Sequence, residues 1–167
     1  RPEDAMRLLP DGRHLRPRVA YRDVSSVGNM RPLIAAVLPA DVVTTHTLFC
    51  LKTSVSEQGA HFLCGVLNSF VINLAVRMLM GGHVTTSLAE QLPVPAWSGT
   101  PRQRRVAHLA ERLSRHDTAS RQPWLAAIEA EVALVYGVSL TDFRRIVDSF
   151  PLVPENVRHG AVRRLEG

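Results

Sequence analysis

The stretch Ala60-His61-Phe62-Leu63-Cys64-Gly65-Val66-Leu67-Asn68-Ser69-Phe70-Val71-Ile72-Asn73-Leu74-Ala75-Val76-Arg77-Met78-Leu79-Met80 decides the fold. Its length, about 20 residues, is enough to cross a bilayer. Asn68, Asn73 and Arg77 argue against that reading, because each is costly in lipid. Leu63, Val66, Leu67, Phe70 and Leu74 recur at the helical period, and Ile72, Val76 and Leu79 cover much of the remaining circumference. A helix that is apolar nearly all round belongs at the centre of a core. The reading is one long buried helix, ended by Gly81-Gly82, where left-handed angles are accessible.

Upstream the period changes from helical to alternating. Over residues 17–24, Val19 and Tyr21 alternate with Arg18, Ala20 and Arg22, which predicts a strand with one apolar face and one arginine face. Ser25 to Met30 make a polar turn around Gly28-Asn29. Leu33 to Leu38 form a short apolar run stopped by Pro39, which fits a buried strand. The β-branched and aromatic content of residues 42–53 predicts one or two more strands. Residues 1–16 carry Pro2, Pro10 and Gly12 among charges and read as a lead-in or linker. The opening Arg1-Pro2-Glu3-Asp4 has neither an initiator Met nor a basic-then-apolar leader, which suits a processed chain or a piece of something larger.

Downstream the signals are helix caps. Ser87 is placed to cap a single turn, with Glu90 as its reciprocal partner, before Pro93 and Pro95. Thr100, Pro101 and Gln103 form a capping box, which starts a helix running to about Arg115 with Val106, Leu109, Ala110 and Leu113 inward. Residues 116–122 form a polar link. Pro123 opens the next helix, with Trp124, Ile128, Glu131, Val132 and Val135 on one stripe and Gly137 at its end. Ser139 caps a last helix, with Asp142 at its third position and Phe143, Ile146 and Val147 inward, ending at Phe150 before Pro151. The expectation is an α+β fold. A small mixed β-sheet packs on a long buried helix and is followed by a C-terminal helical subdomain. The expected divisions are a lead-in over 1–16, an α+β core over 17–97 and the helical part over 98–167.

The chain has 167 residues, 46% of them hydrophobic and 21% charged, which excludes a disordered class. Such a length buries roughly 70% of its unfolded surface. Two cysteines, Cys50 and Cys64, are too few for a disulfide framework or an all-thiolate metal site, and the simplest reading is cytoplasmic. The net charge of +5 is mild; it permits nucleic acid as a partner without requiring it. Lys52 is the sole lysine, so the basic surface is arginine, whose planar fork suits phosphate and guanine edges.

No G-x-G, Walker or C-x-x-C pattern occurs, nor the Asn-Pro-Pro-aromatic sequence that holds an exocyclic amine in amino-methyltransferases. Neither a cofactor nor a metal is expected within this stretch. The helices 124–136 and 140–149 are spaced like a helix-turn-helix, but the second starts with the acidic Leu140-Thr141-Asp142, which favours a packing corner. The better nucleic-acid candidates lie in the first half. Arg18 and Arg22 leave one strand face, and Asn29 and Arg31 sit in and after the turn. An amide there reads adenine and a guanidinium reads guanine. Thr44, Thr45, His46 and Lys52 are further candidates, for phosphate contacts. The plainer alternative is a solvated sheet face and an ordinary turn.

The run Tyr21-Arg22-Asp23-Val24-Ser25-Ser26-Val27-Gly28-Asn29-Met30-Arg31-Pro32-Leu33-Ile34-Ala35-Ala36-Val37-Leu38-Pro39 resembles a segment in the C-terminal half of Eco57I-like, type IIG-like restriction–modification proteins, which are adenine-specific DNA methyltransferases often fused to a nuclease. Large phage-defence methyltransferases carry a similar segment. Leu63 to Val71, with Gly81-Gly82-His83-Val84 and Leu88 to Pro95, resembles a second stretch of the family, and Val135 to Phe143 with Ile146 to Pro151 a third. They keep the family order and together cover most of residues 18–151. The resemblance implies a target-recognition region that grips double-stranded DNA for a methyltransferase domain of the same polypeptide. S-adenosylmethionine would be bound by that domain, and the methyl group would pass to a flipped adenine. The resemblance also implies that Arg22 and Asn29 to Arg31 face either DNA or the catalytic domain. Pro32 departs from the family, where a small polar residue, often Thr, is usual; proline offers neither a hydroxyl nor an N–H there.

Two rival readings remain. A helical docking module without base readout would show a large exposed apolar patch on its tail. A DNA reader would show a basic concavity near the sheet turn. A small free-standing enzyme would need paired titratable groups, and no such pairing is visible.

Overall fold

The computed structural model describes residues 12–115 and 121–167. Most of the expected lead-in and of the 116–122 link therefore lies outside the described residues. A single 3-10 turn, Arg13–Leu15, precedes β1 (Arg18–Arg22). β2 (Ala35–Leu38) and β3 (Leu48–Cys50) flank β1, and both pairings are antiparallel. Val19 pairs with Val37, and Tyr21 sits between Ala35 and Phe49, so this row of side chains enters the core. The expected α+β class stands, with an antiparallel sheet throughout.

The third strand is shorter than its β-branched content suggests. Residues 42–47 leave the sheet and form a loop. Arg18 donates to the carbonyl of Val42, Thr44 Oγ1 lies 3.5 Å from Cys50 Sγ, and the Asp41 amide bonds His14 O at 2.7 Å. Asp41 has φ 63°, a left-handed angle that aspartate tolerates better than most residues.

The long apolar run is two helices rather than one. α1 (Glu57–Leu67) and α2 (Phe70–Leu79) meet at a bend of 61°. Asn68 and Ser69 cause the break by satisfying backbone groups that a continuous helix would satisfy itself. Asn68 Nδ2 donates to Cys64 O and to Ala35 O, each at 2.8 Å, tying the end of α1 to the sheet. Ser69 Oγ accepts from Ile72 N at 3.3 Å and caps α2. Asn73, fully buried, accepts from Leu33 N at 2.8 Å and donates to Leu67 O and Ser69 O. The bend thus exists because three polar side chains inside an apolar run serve the backbone of their neighbours. No single described helix is long and apolar enough to cross a membrane; the bent pair passes by length and composition only. α2 ends at Leu79 through an extended Met80, and neither Gly81 nor Gly82 takes a positive φ.

α3 (Thr86–Gln91) is capped by Thr85, whose Oγ1 accepts from Leu88 N, and not by Ser87. α4 (Pro101–Arg115) begins with the anticipated box: Thr100 Oγ1 accepts from Gln103 N, and Gln103 Oε1 accepts from Thr100 N, both at 3.3 Å. α4 crosses α1 closely at Gly65, where an added Cβ would lie 2.8 Å from Val106 Cγ1. α5 (Gln122–Val135) ends in a Schellman turn: Gly137 has φ 66° and Val138 N bonds Ala133 O at 3.0 Å. Ser139 caps α6 (Leu140–Asp148) through Asp142 N at 3.1 Å.

A further helix follows that the sequence pattern does not signal. α7 (Glu155–Glu166) packs along α5, and Gly160 allows the approach, since a Cβ there would meet Ala126 Cβ at 3.1 Å. Only Val157 and Ala161 of α7 are buried, too thin a stripe to stand out among its arginines.

The buried apolar residues form two clusters. One joins the sheet to α1, α2, α3 and α4 and takes in Ile128 and Val132 of α5. The other gathers Phe70, Ala126, Ala133, Phe143, Val147, Phe150, Val153, Val157 and Ala161. Apolar packing therefore continues across Trp97–Thr100, and α5 serves both clusters.

Candidate nucleic-acid interface

The turn after β1 is built from its own polar side chains. Gly28 N donates to Ser26 Oγ at 3.2 Å, Asn29 N to Ser26 O at 3.0 Å, and Ser25 Oγ to Pro32 O. The Asn29 amide is best oriented with its oxygen inward, where it accepts from Arg22 Nη2 at 3.2 Å and Ser26 N at 3.2 Å. From the far side Arg77 Nη2 donates to Asn29 O at 2.9 Å and Met30 O at 3.3 Å, and Arg77 Nη1 donates to Ser149 O. The turn is thus held at both ends by arginines.

Arg31 is committed to the interior. Its Nη2 lies 2.7 Å from Glu129 Oε1, its Nη1 donates to Asn68 O, and its side chain is only 12% exposed. The other Glu129 oxygen accepts from Phe70 N at 2.7 Å, the first amide of α2, where a helix N-terminus favours negative charge. The rings continue the contact. The Arg31 guanidinium lies 4.8 Å from the Phe70 centroid, Phe70 and Phe150 are 4.9 Å apart, and the Arg77 guanidinium lies 4.0 Å from Phe150. Burial pushes the Glu129 carboxyl up from its ordinary range, against the pull of Arg31 and of the Phe70 amide. This clamp joins the sheet turn, the α1–α2 bend and α5 and α6.

The sequence candidates therefore separate into two groups. Arg18, Arg22, Asn29 and Arg31 each bond within the protein. Thr45 and His46 in the loop before β3, and Lys52 after it, are exposed on the open edge of the sheet; Thr45 Oγ1 and Thr47 Oγ1 are 3.2 Å apart. Sequence reasoning missed Glu129. Its signal was a carboxylate set in Ala126-Ala127-Ile128-Glu129-Ala130, among side chains that are buried or nearly so. Burial pushes the Cys64 thiol up to about 11, which disfavours the thiolate.

Val24, Val27, Met30 and Ile34, on and beside the turn, are all exposed, as are Met78 and Leu79 at the end of α2. Arg77 bridges these two groups through the Asn29 and Met30 carbonyls. Half of the exposed large apolar side chains among the described residues therefore sit at the sheet turn and the end of α2, while Leu134 and Leu152 are exposed on the tail. On the tail, α4, α5 and α7 enclose an open groove of about 610 Å³ lined by Arg105, Glu131, Arg163 and Arg164 over Ala126 and Ala130. The basic concavity is therefore on the helices. Among the described residues no group of His, Cys, Asp and Glu is placed to hold a metal ion. No family model, curated protein or solved structure matches this chain.

Proposed function

We propose that this chain is the target-recognition region of an adenine-specific DNA methyltransferase of the restriction–modification type. It holds double-stranded DNA for a catalytic domain that binds S-adenosylmethionine and lies outside these residues. The reading includes a cytoplasmic setting, from the sparse cysteines, and a role in phage defence, from the family resemblance. That resemblance, three stretches in family order over residues 18–151, is the observation that carries the proposal.

The geometry adds a division of labour. Base-edge contacts require side chains free to leave the surface. Thr45, His46 and Lys52 meet that condition, while Arg31 serves the fold through Glu129. Arg22 and Asn29 hold each other in a turn closed by its own hydrogen bonds, the kind of scaffold on which recognition loops work. Selecting duplexes from a random pool with the wild-type chain and with Lys52→Ala tests this. Relaxed choice at one position assigns Lys52 to a base, uniform weakening assigns it to phosphate, and an unchanged selection removes the sheet edge from the interface.

A second reading is favoured by the exposed Val24, Val27, Met30 and Ile34. In it the sheet turn docks on the methyltransferase domain, as an apolar patch rimmed by polar groups would. The two readings are compatible, since a turn that docks leaves the helical groove open to DNA.

A further inference from the structure

We infer that the groove between α4, α5 and α7 binds the phosphodiester backbone of nucleic acid without regard to base sequence. The inference rests on the DNA-binding reading above and names a site that the family resemblance does not assign.

The groove is defined by charge. Arg105 reaches in from α4, and Arg163 and Arg164 from the last turn of α7. Arg105 Nε lies 2.7 Å from Glu131 Oε1, and Arg102 is 3.1 Å from the same carboxylate, so two arginines share one anion. Arg163 and Arg164 are exposed and form no ion pair among the described residues. Cations at a helix C-terminus complement its dipole, but that role needs no concavity and no third arginine from another helix. Here Arg163 and Arg164 face Arg105, which Glu131 holds, across one depression whose floor, Ala126 and Ala130, is too short to fill it. Guanidinium forks of this kind pair with phosphate oxygens in bidentate fashion. An extended anionic strand fits such a site because Arg163 and Arg164 offer guanidinium donors at its edge, unpaired among the described residues, while its one carboxylate, Glu131, is already held by Arg102 and Arg105.

The test is a salt titration of the full 167-residue chain on a mixed-sequence DNA duplex, comparing wild type with the double variant Arg163→Gln, Arg164→Gln. Both side chains are exposed, so the fold should be kept, and circular dichroism checks it. A second double variant, Arg144→Gln with Arg145→Gln, removes the same charge from residues that do not line the groove. The groove variant should weaken binding alike on all sequences. Its slope of log affinity against log salt should be shallower by roughly 1 for each phosphate that the arginines neutralise. The control should keep the wild-type slope. If wild type binds and the groove variant matches it, or if both double variants weaken equally, the groove assignment is overturned while DNA binding stands. If wild type fails to bind at any salt, the DNA-binding reading and the groove fall together. Displacement of the duplex by polyglutamate as readily as by unlabelled duplex would make the occupant an acidic protein segment and overturn the nucleic-acid assignment.

Discussion

The ion pair of Arg31 with Glu129 sets what the turn after β1 is free to do. Removing one partner of a buried pair leaves an uncompensated charge, so Arg31→Ala should cost about 3 kcal/mol or more at neutral pH, measured by urea unfolding. Altered DNA site choice at unchanged stability would show instead that Arg31 reads bases. Glu129 adds a pH dependence whose sign follows from burial. Its folded pKa is raised, so the native state holds the proton more tightly than the unfolded chain does. The stability this contributes is full at acid pH, below the unfolded carboxyl value, and is lost as pH rises through the folded value. Urea midpoints should therefore fall across that window in the wild type, and Glu129→Gln should remove that part of the fall; an identical fall in the variant would refute it. Asn73→Ala should leave the buried Leu33 amide without its acceptor, at about 1–3 kcal/mol. None of these partnerships is legible in the sequence. Arg31 stands in a polar turn that looks solvated, and its partner lies far along the chain on a helix that reads as an apolar stripe.

Helix ends are the most readable elements, because a cap is a hydrogen bond between neighbours in sequence. Thr100 with Gln103, Ser139 with Asp142 N, and the left-handed Gly137 all fall where local chemistry places them. The α1–α2 bend is hidden because the apolar period runs through both helices, and Asn68-Ser69 looks like two polar residues in one core helix. Ser69→Ala should cost about 1 kcal/mol through removal of the α2 cap. At the crossing of α1 and α4, Gly65→Ala sets a propensity gain of about 0.5–1 kcal/mol against a Cβ 2.8 Å from Val106 Cγ1. Overpacking of this kind costs about 1–3 kcal/mol, so the variant should be destabilised on balance. A stabilised variant would mean that α1 and α4 separate without cost.

For the molecule as a whole, α5 contributes to both apolar clusters, and the Arg31–Glu129 and Arg77–Phe150 contacts bridge the sheet turn to the helices. A structure joined in this way should unfold in one step, so fluorescence of Trp97 and Trp124 and far-ultraviolet circular dichroism should give coincident urea transitions. Separate transitions would mark residues 98–167 as an independent unit. Fold class is legible because alternation, helical period and caps agree with one another. The distribution of surface chemistry is not. Val24, Val27, Met30 and Ile34 are exposed together at the turn, and two of the groove arginines sit on a helix with no sequence signal. Whether the chain grips DNA through phosphate contacts is decided by binding to a mixed duplex pool over a range of salt. Log affinity should fall steeply and linearly with log salt as counterions are released. Absence of binding at the lowest salt, with the chain folded, would contradict such a grip.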